Sequence, residues 1–208
     1  GLAFFPALDY PKDKILDNAR KALEHAKFFG PDSLISFDAI SLNISGDRLY
    51  DEGEYQKAID EYKTALKLDP ANANLHNSLG VCYGVTGEFV SALTQFKEAM
   101  ALDAEEALAH YNAGLVHLLL DERDKARAHL LEVDNRPHNL FEVRLQLGKL
   151  YLEDDQPEKG LIYLEKAAAM QPQSSAVHAF IGECNAALDR RDEAVAAYKK
   201  SLRLNAND

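Results

Sequence analysis

Seven histidines, several paired carboxylates and two cysteines are the residues of this chain whose types could do chemistry. His76, His110 and His178 stand at multiples of 34 residues, and Leu42 and Arg144 fill the same place elsewhere in the series. One residue type returning once per interval reads as packing. A helical zinc pair needs histidines at i and i+4; His110 and His117 miss that spacing, and no Cys pair is placed to complete a tetrahedral set. His129 and His138 are separated by a turn and have no placed carboxylate partner. The pairs Asp51/Glu52, Glu105/Glu106, Asp121/Glu122 and Asp154/Asp155 fall at expected helix ends, where acids cap the next helix and meet its positive dipole end. As acid and base for hydrolysis they would need a shared pocket, which the sequence does not define. Cys82 and Cys184 lie 102 residues apart in one column, too far for an intramolecular disulfide. With no phosphate loop and no Gly-x-Ser-x-Gly elbow either, the chain reads as a non-enzyme with no metal and no cofactor.

The elements that would position any site follow one period. Gly46, Gly80, Gly114, Gly148 and Gly182 recur every 34 residues. Twelve residues after each comes a small residue (Ala58, Ala92, Ala126, Gly160, Ala194), then a large apolar one (Tyr62, Phe96, Leu130, Leu164, Tyr198), then a modest one (Ala65, Ala99, Val133, Ala167, Ser201). Residues 39–208 thus divide into five repeats: 39–72, 73–106, 107–140, 141–174 and 175–208. Such a period marks a repeat array. Each repeat reads as two amphipathic helices joined at Gly53, Gly87, Asp121, Asp155 or Asp189, residue types that tolerate the left-handed conformation ending a helix. The recurring glycine lets the second helix approach the first, where the small residue is expected to meet it and the Tyr/Phe/Leu column to fill the remaining space. Helices of about 14 residues are marginal alone, so neighbouring repeats must supply the packing.

These columns resemble the tetratricopeptide repeat, with its Leu-Gly-x-x-Tyr, Ala, Phe/Tyr, Ala and closing Pro. They stand here as Leu79-Gly80-Val81-Cys82-Tyr83 with Ala92, Phe96 and Ala99, and as Leu147-Gly148-Lys149-Leu150-Tyr151 with Pro172. The resemblance implies an all-α fold, a right-handed superhelical solenoid of antiparallel helix pairs, and a protein-interaction scaffold that binds a peptide or partner protein on its concave face. In such a solenoid the first helices line that face. Positions three before and one after each glycine then supply the binding surface: Asn43 and Asp47; Asn77 and Val81, with Asn74 a turn earlier; Tyr111 and Leu115, with Leu108; Leu145 and Lys149, with Glu142; and Ala179 and Glu183. Tyr111 and Leu115 are the expected anchors, and Leu118 and Leu119 divide between core and groove. Relatives that grip the acidic tails of heat-shock chaperones use a Lys-plus-Asn clamp. Asn43 and Asp47 occupy those positions here, and Asp47 would repel a tail carboxylate.

Residues 1–38 fall outside the register as a leader. Ile15, Leu16, Ala19, Leu23 and Ala26 form one stripe of a helix over about 12–29, with Pro11 near its start and Gly30-Pro31 at its stop. Gly1–Pro6 and Ser33–Phe37 read as short strands. Two readings stay open. In one, the leader is the second helix of a degraded repeat, with Pro31 to Pro70 five residues longer than the period. In the other, Gly-Leu-Ala-Phe-Phe-Pro followed by Ala19-x-x-Ala22-Leu23-x-x-Ala26-Lys27-x-x-Gly30 resembles the C-terminal tail of a GGDEF (diguanylate cyclase) domain. That resemblance implies that the array is the regulatory or oligomerisation arm of a larger bacterial signalling protein. The chain lacks an initiating Met and is expected to be an excised fragment.

Charge and hydropathy set outer bounds. The net charge is 23 − 34 = −11 with no basic run, which argues against nucleic acid and anionic membranes as partners. The apolar stretch Leu115–Leu120 is too short to span a bilayer. A cytoplasmic protein is the simplest expectation. The last repeat has no capping helix after it, and Val195, Tyr198, Leu202 and Leu204 are expected to leave an apolar end suited to self-association.

Overall fold

A computed structural model describes residues 1–3, 10, 12–103, 106–136 and 140–205. The expectations for Pro6, Pro11, Glu105, His138 and the last residues before Asp208 lie outside those residues. Among the described residues the chain is helical: a 3-10 turn Lys12–Lys14 leads into α1 (Ile15–Lys27), followed by α2 (Ala39–Asp51), α3 (Tyr55–Leu68), α4 (Ala73–Val85), α5 (Phe89–Leu102), α6 (Ala107–Leu119), α7 (Arg123–Asp134), α8 (Phe141–Glu153), α9 (Pro157–Met170), α10 (Ser175–Ala187) and α11 (Arg191–Asn205). The first helices begin at Ala39, Ala73, Ala107, Phe141 and Ser175, each 34 residues after the last. The chain packs as two compact units, Gly1–Val116 and His117–Asp208, divided within α6.

Local chemistry sets the helix ends. Asp38, Asn72 and Ser174 cap α2, α4 and α10 by accepting from the backbone N–H three residues on. The five turn residues inside the repeats all take the left-handed conformation: Gly53 and Gly87 at φ 78° and 82°, Asp121, Asp155 and Asp189 at 56°, 56° and 57°.

At the glycine column the large side chains fill the space, as expected. A Cβ at Gly46, Gly80 or Gly182 would lie 2.5–2.6 Å from the ring of Tyr62, Phe96 or Tyr198, and one at Gly148 would lie 2.5 Å from Cγ of Leu164. The large column thus fills the space that each glycine leaves. A Cβ at Gly160, in the small column, would lie 2.9 Å from the Gly148 carbonyl oxygen, so in this repeat the small residue meets the glycine. Gly84, by contrast, is helical, and a Cβ there would meet only Val116 Cγ2, at 3.7 Å, so a methyl fits. Gly84→Ala is expected to raise stability by about 0.5–1 kcal/mol through the backbone entropy that glycine loses in a helix. Thermal unfolding measures this, and a lowered midpoint would sink the argument.

In the N-terminal unit the core runs through α2 to α6, with Leu42, Ile59, Tyr62, Leu75, Leu79, Phe96, Ala109 and Val116 buried in one cluster. The leader corrects the expected stripe. α1 spans Ile15–Lys27 and turns Asn18, Ala22, His25 and Ala26 inward, while Leu16 is 73% exposed and Leu23 also faces outward. α1 packs on α2 where Ser41 and Ser45 are buried, a surface that admits a close approach by small side chains. His25 Nδ1 lies 3.2 Å from the Asp38 carboxylate, and Lys21 donates to Glu61 of α3 at 2.6 Å. Of the expected strands, a single parallel bridge joins Leu2 to Ser36, through Leu2 N–H to the Ile35 carbonyl and Phe37 N–H to the Leu2 carbonyl.

In the C-terminal unit, Leu161, Leu164 and Cys184 form a buried cluster on which Leu145, Leu152, Phe180, Ile181 and Leu188 pack. Elsewhere in the chain, the residues 13 and 20 beyond each glycine are apolar: Ile59/Leu66, Leu93/Met100 and Leu161/Ala168. In the third repeat they are Arg127 and Asp134. Arg127 pairs with Asp154, the residue just after α8, and Asp134 accepts from Arg144 Nε at 2.9 Å with Lys166 Nζ at 3.6 Å. The α7–α8 joint is therefore built from ion pairs where its counterparts use hydrocarbon. In α11, with no following helix among the described residues, the same columns hold Val195, 49% exposed, and Leu202, 68% exposed. Tyr198 and Leu204 are half-buried.

Candidate peptide-binding face

The histidine column has a structural role. Nε2 of His76 lies 3.2 Å from the Pro70 carbonyl, and Nε2 of His178 lies 3.0 Å from the Pro172 carbonyl. An imidazole protonated at Nε2 thus ties the first helix to the turn before it and satisfies a carbonyl that would otherwise need water. His117 takes the place of the Tyr column, is buried, meets Glu122 at 2.6 Å and stacks on His129 at 5.4 Å. Glu122, accepting from Lys125 and from His117, is held below the usual carboxylate range. No group of three potential metal ligands occurs among the described residues. Burial pushes both thiols up to about 11, Asp47 adding to the effect at Cys82 and Glu183 at Cys184, which makes them poor nucleophiles.

The first helices of the N-terminal unit bring together most of the expected binding residues. On α2, Asn43 and Asp47 are one turn apart, and Asn43 Nδ2 approaches the carboxylate at 3.4 Å. The Tyr62 hydroxyl donates to Asp47 Oδ1 at 2.6 Å, crossing from α3. Burial, then the hydrogen bond to Asp47, raises the Tyr62 phenol well above its ordinary value, so it remains a donor. On α4, Asn77 accepts from Asn112 Nδ2 of α6 at 3.0 Å. With its oxygen so engaged, the Asn77 amide presents Nδ2 as the free end. Asn74 and Asp47 are exposed, Leu108 is half exposed, and Tyr111 and Leu115 are half-buried. Val81 leans on the core cluster and contributes only part of its surface.

The C-terminal unit carries a second, separate set. Glu142 and Glu183 are exposed, and Lys149 Nζ sits 5.4 Å above the Phe180 ring, linking α8 to α10. Leu145 packs on the Leu161–Leu164–Cys184 cluster, so it serves the core more than a groove. Leu119 is exposed and Leu118 half-buried. Glu183 also faces Tyr198, whose phenol is raised by burial and then by that carboxylate. A phenol in the large column and an acid just after the glycine therefore occur together in the first and last repeats. That co-occurrence was the readable signal for the Asp47–Tyr62 bond, which the spacing argument missed. Separately, a groove of about 410 Å³ lies between α1 and α2, lined by Asp17, Arg20, Lys21, Glu24 and Arg48; it holds none of the expected residues.

Paired helices with a left-handed turn, a glycine against a ring and a first-helix face of amide and apolar side chains define a helix-pair repeat protein. A family model described as tetratricopeptide repeat matches residues 83–139 and 145–208, and a further TPR repeat model matches 46–87. The chain belongs to the tetratricopeptide repeat family. None of the curated proteins matches it significantly. Among solved structures, a crystal structure of MamA aligns with TM-score 0.72 and 28% identity, over 78% of this chain and 95% of that one. MamA residues 41 to the end from Desulfovibrio magneticus RS-1 align with TM-score 0.73 and 22% identity, over 82% and 96%. YrrB, described as a TPR protein with an unusual peptide-binding site, aligns with TM-score 0.67 and 22% identity, over 80% and 86%. No helix among the described residues is long and apolar enough to cross a membrane.

Proposed function

We propose that the first-helix face of α2, α4 and the part of α6 up to Val116 binds an extended peptide segment of a partner protein. The observation that carries this reading is the Asn112–Asn77 hydrogen bond, which orients an amide donor on α4 by tying it to α6, the helix that carries Leu108, Tyr111 and Leu115. An extended backbone has unpaired carbonyls that Asn77 Nδ2 can meet, while the apolar side chains take one residue of the ligand. Each anchor is half-buried and contributes about 1.5 kcal/mol, so removing both is expected to weaken binding about 100-fold. The test is selection of a displayed random peptide library on the chain, followed by affinity measurement on a Tyr111→Ala/Leu115→Ala version with matched circular dichroism. Equal affinity for both versions would dispose of the reading. Glu142, Lys149 and Glu183, in the unit His117–Asp208, are read as a binding surface of their own.

A second reading is favoured by the two ends. The isolated parallel bridge between Leu2 and Ser36 brackets α1 in the order that the resemblance to a GGDEF tail implies. The array would then be a regulatory arm, self-associating through the exposed Val195 and Leu202 of α11. Reading the coding sequence upstream of Gly1 for a Gly-Gly-Asp/Glu-Glu-Phe turn tests the first part, and light scattering against concentration tests the second.

A further inference from the structure

We infer that the segment taken by the α2–α4–α6 face carries a lysine or arginine whose side chain docks on Asp47, about five to six residues from the apolar side chain held at Leu115. The inference rests on the peptide-binding reading above and adds the chemistry of the ligand.

Three observations carry it. Across α2, α4 and residues 107–116 the charged side chains are Asp47, Arg48 and Asp51. Arg48 is engaged by Glu52 at 2.7 Å, one turn along its own helix, so the face carries negative charge against an otherwise neutral wall of amide and apolar groups. Second, Asp47 is held in place. Tyr62 is buried, its ring locked against Gly46, and its hydroxyl fixes one carboxylate oxygen. A phenol restricts the rotamer without neutralising the charge, and a carboxylate has lone pairs left for a cation. Third, the acid after the glycine occurs where the large column supplies a phenol, as Asp47 with Tyr62 and Glu183 with Tyr198; where that column is Phe96 or Leu130, Val81 and Leu115 stand instead. Charge-assisted hydrogen bonds are the stronger kind, and a like-charged ligand is repelled. The spacing follows from geometry. Neighbouring packed helices lie about 8–10 Å apart, so two steps from α2 to α6 span about 16–20 Å, which an extended chain covers at about 3.3 Å per residue.

The experiment uses random dodecapeptides displayed between fixed flanks, so that no free amino terminus can stand in for a side chain. The library is selected on the unaltered chain, on Asp47→Asn and on Tyr111→Ala/Leu115→Ala, each with matched circular dichroism. Asparagine keeps an acceptor for Tyr62 while removing the charge. Peptides from the unaltered chain are expected to share a lysine or arginine at one fixed distance from an apolar residue. They should bind Asp47→Asn about tenfold more weakly and lose that difference at high salt or when the basic residue becomes glutamine. Peptides that need Tyr111 and Leu115 but bind Asp47→Asn equally would overturn the cationic inference and leave the groove standing. If no enriched peptide depends on Tyr111 and Leu115, the groove reading fails and the inference fails with it.

Discussion

Replacing Asp134 with alanine is expected to lower the stability of the unit His117–Asp208 by about 3 kcal/mol, the low end for breaking a buried ion pair. The Asp134 side chain is 9% exposed and that of its partner Arg144 15%, so removing the carboxylate takes the charge-assisted partner from a mostly buried guanidinium. Lys166, 44% exposed, can turn to solvent and adds little. Urea titration followed by far-UV circular dichroism should show a lower midpoint at unchanged slope. A companion substitution separates the charge from the packing. Asp134→Leu with Arg144→Leu restores the apolar column that other repeats carry at the first position and matches Leu42 at the second. Removing both partners in favour of hydrocarbon is expected to recover the lost stability or exceed it. A loss below about 1 kcal/mol for Asp134→Ala would mean that the joint does not rest on this pair.

The second large effect is at the glycine column. Phe96→Ala is expected to cost about 3–5 kcal/mol, since a ring that is 1% exposed leaves a cavity that its neighbours cannot fill. Gly80→Ala alone should cost about 1–2 kcal/mol despite the better helix propensity of alanine, because its Cβ would sit 2.6 Å from Cε1 of Phe96. In the Phe96→Ala background the obstruction is gone and the same substitution should become stabilising. The coupling energy is thus about 2–3 kcal/mol, measurable in a double-mutant cycle by urea titration. Additive losses would show that the glycine and the ring are not in competition for one space.

The repeat was legible because each of its columns is a local constraint. Gly53, Gly87, Asp121, Asp155 and Asp189 all occupy the left-handed turns that their residue types permit, and the helix starts keep the 34-residue interval. The inward face of α1 was not legible. Periodicity assigns the largest apolar side chains to the core, yet α1 buries Asn18, Ala22 and His25 and leaves Leu16 outside, because α2 presents Ser41 and Ser45, a surface that takes small and polar groups. The charged joint was half legible: Arg127 and Asp134 depart visibly from their columns, but their partners Asp154 and Arg144 stand at unrelated positions, set by how α8 lies on α7. At the candidate face, spacing picked out residues on the first helices but could not tell a side chain offered to a ligand from one leaning on the core. Val81 and Leu145 show that difference, which depends on rotation by a fraction of a turn.

The mid-repeat turn has a consequence at the level of the gene. Two of the five turns use glycine and three use aspartate, all with φ between 56° and 82°. The codons GGU and GGC become GAU and GAC by one base change, so this column can pass between the two residues in a single mutational step. No intermediate residue with a strained turn has to be tolerated on the way.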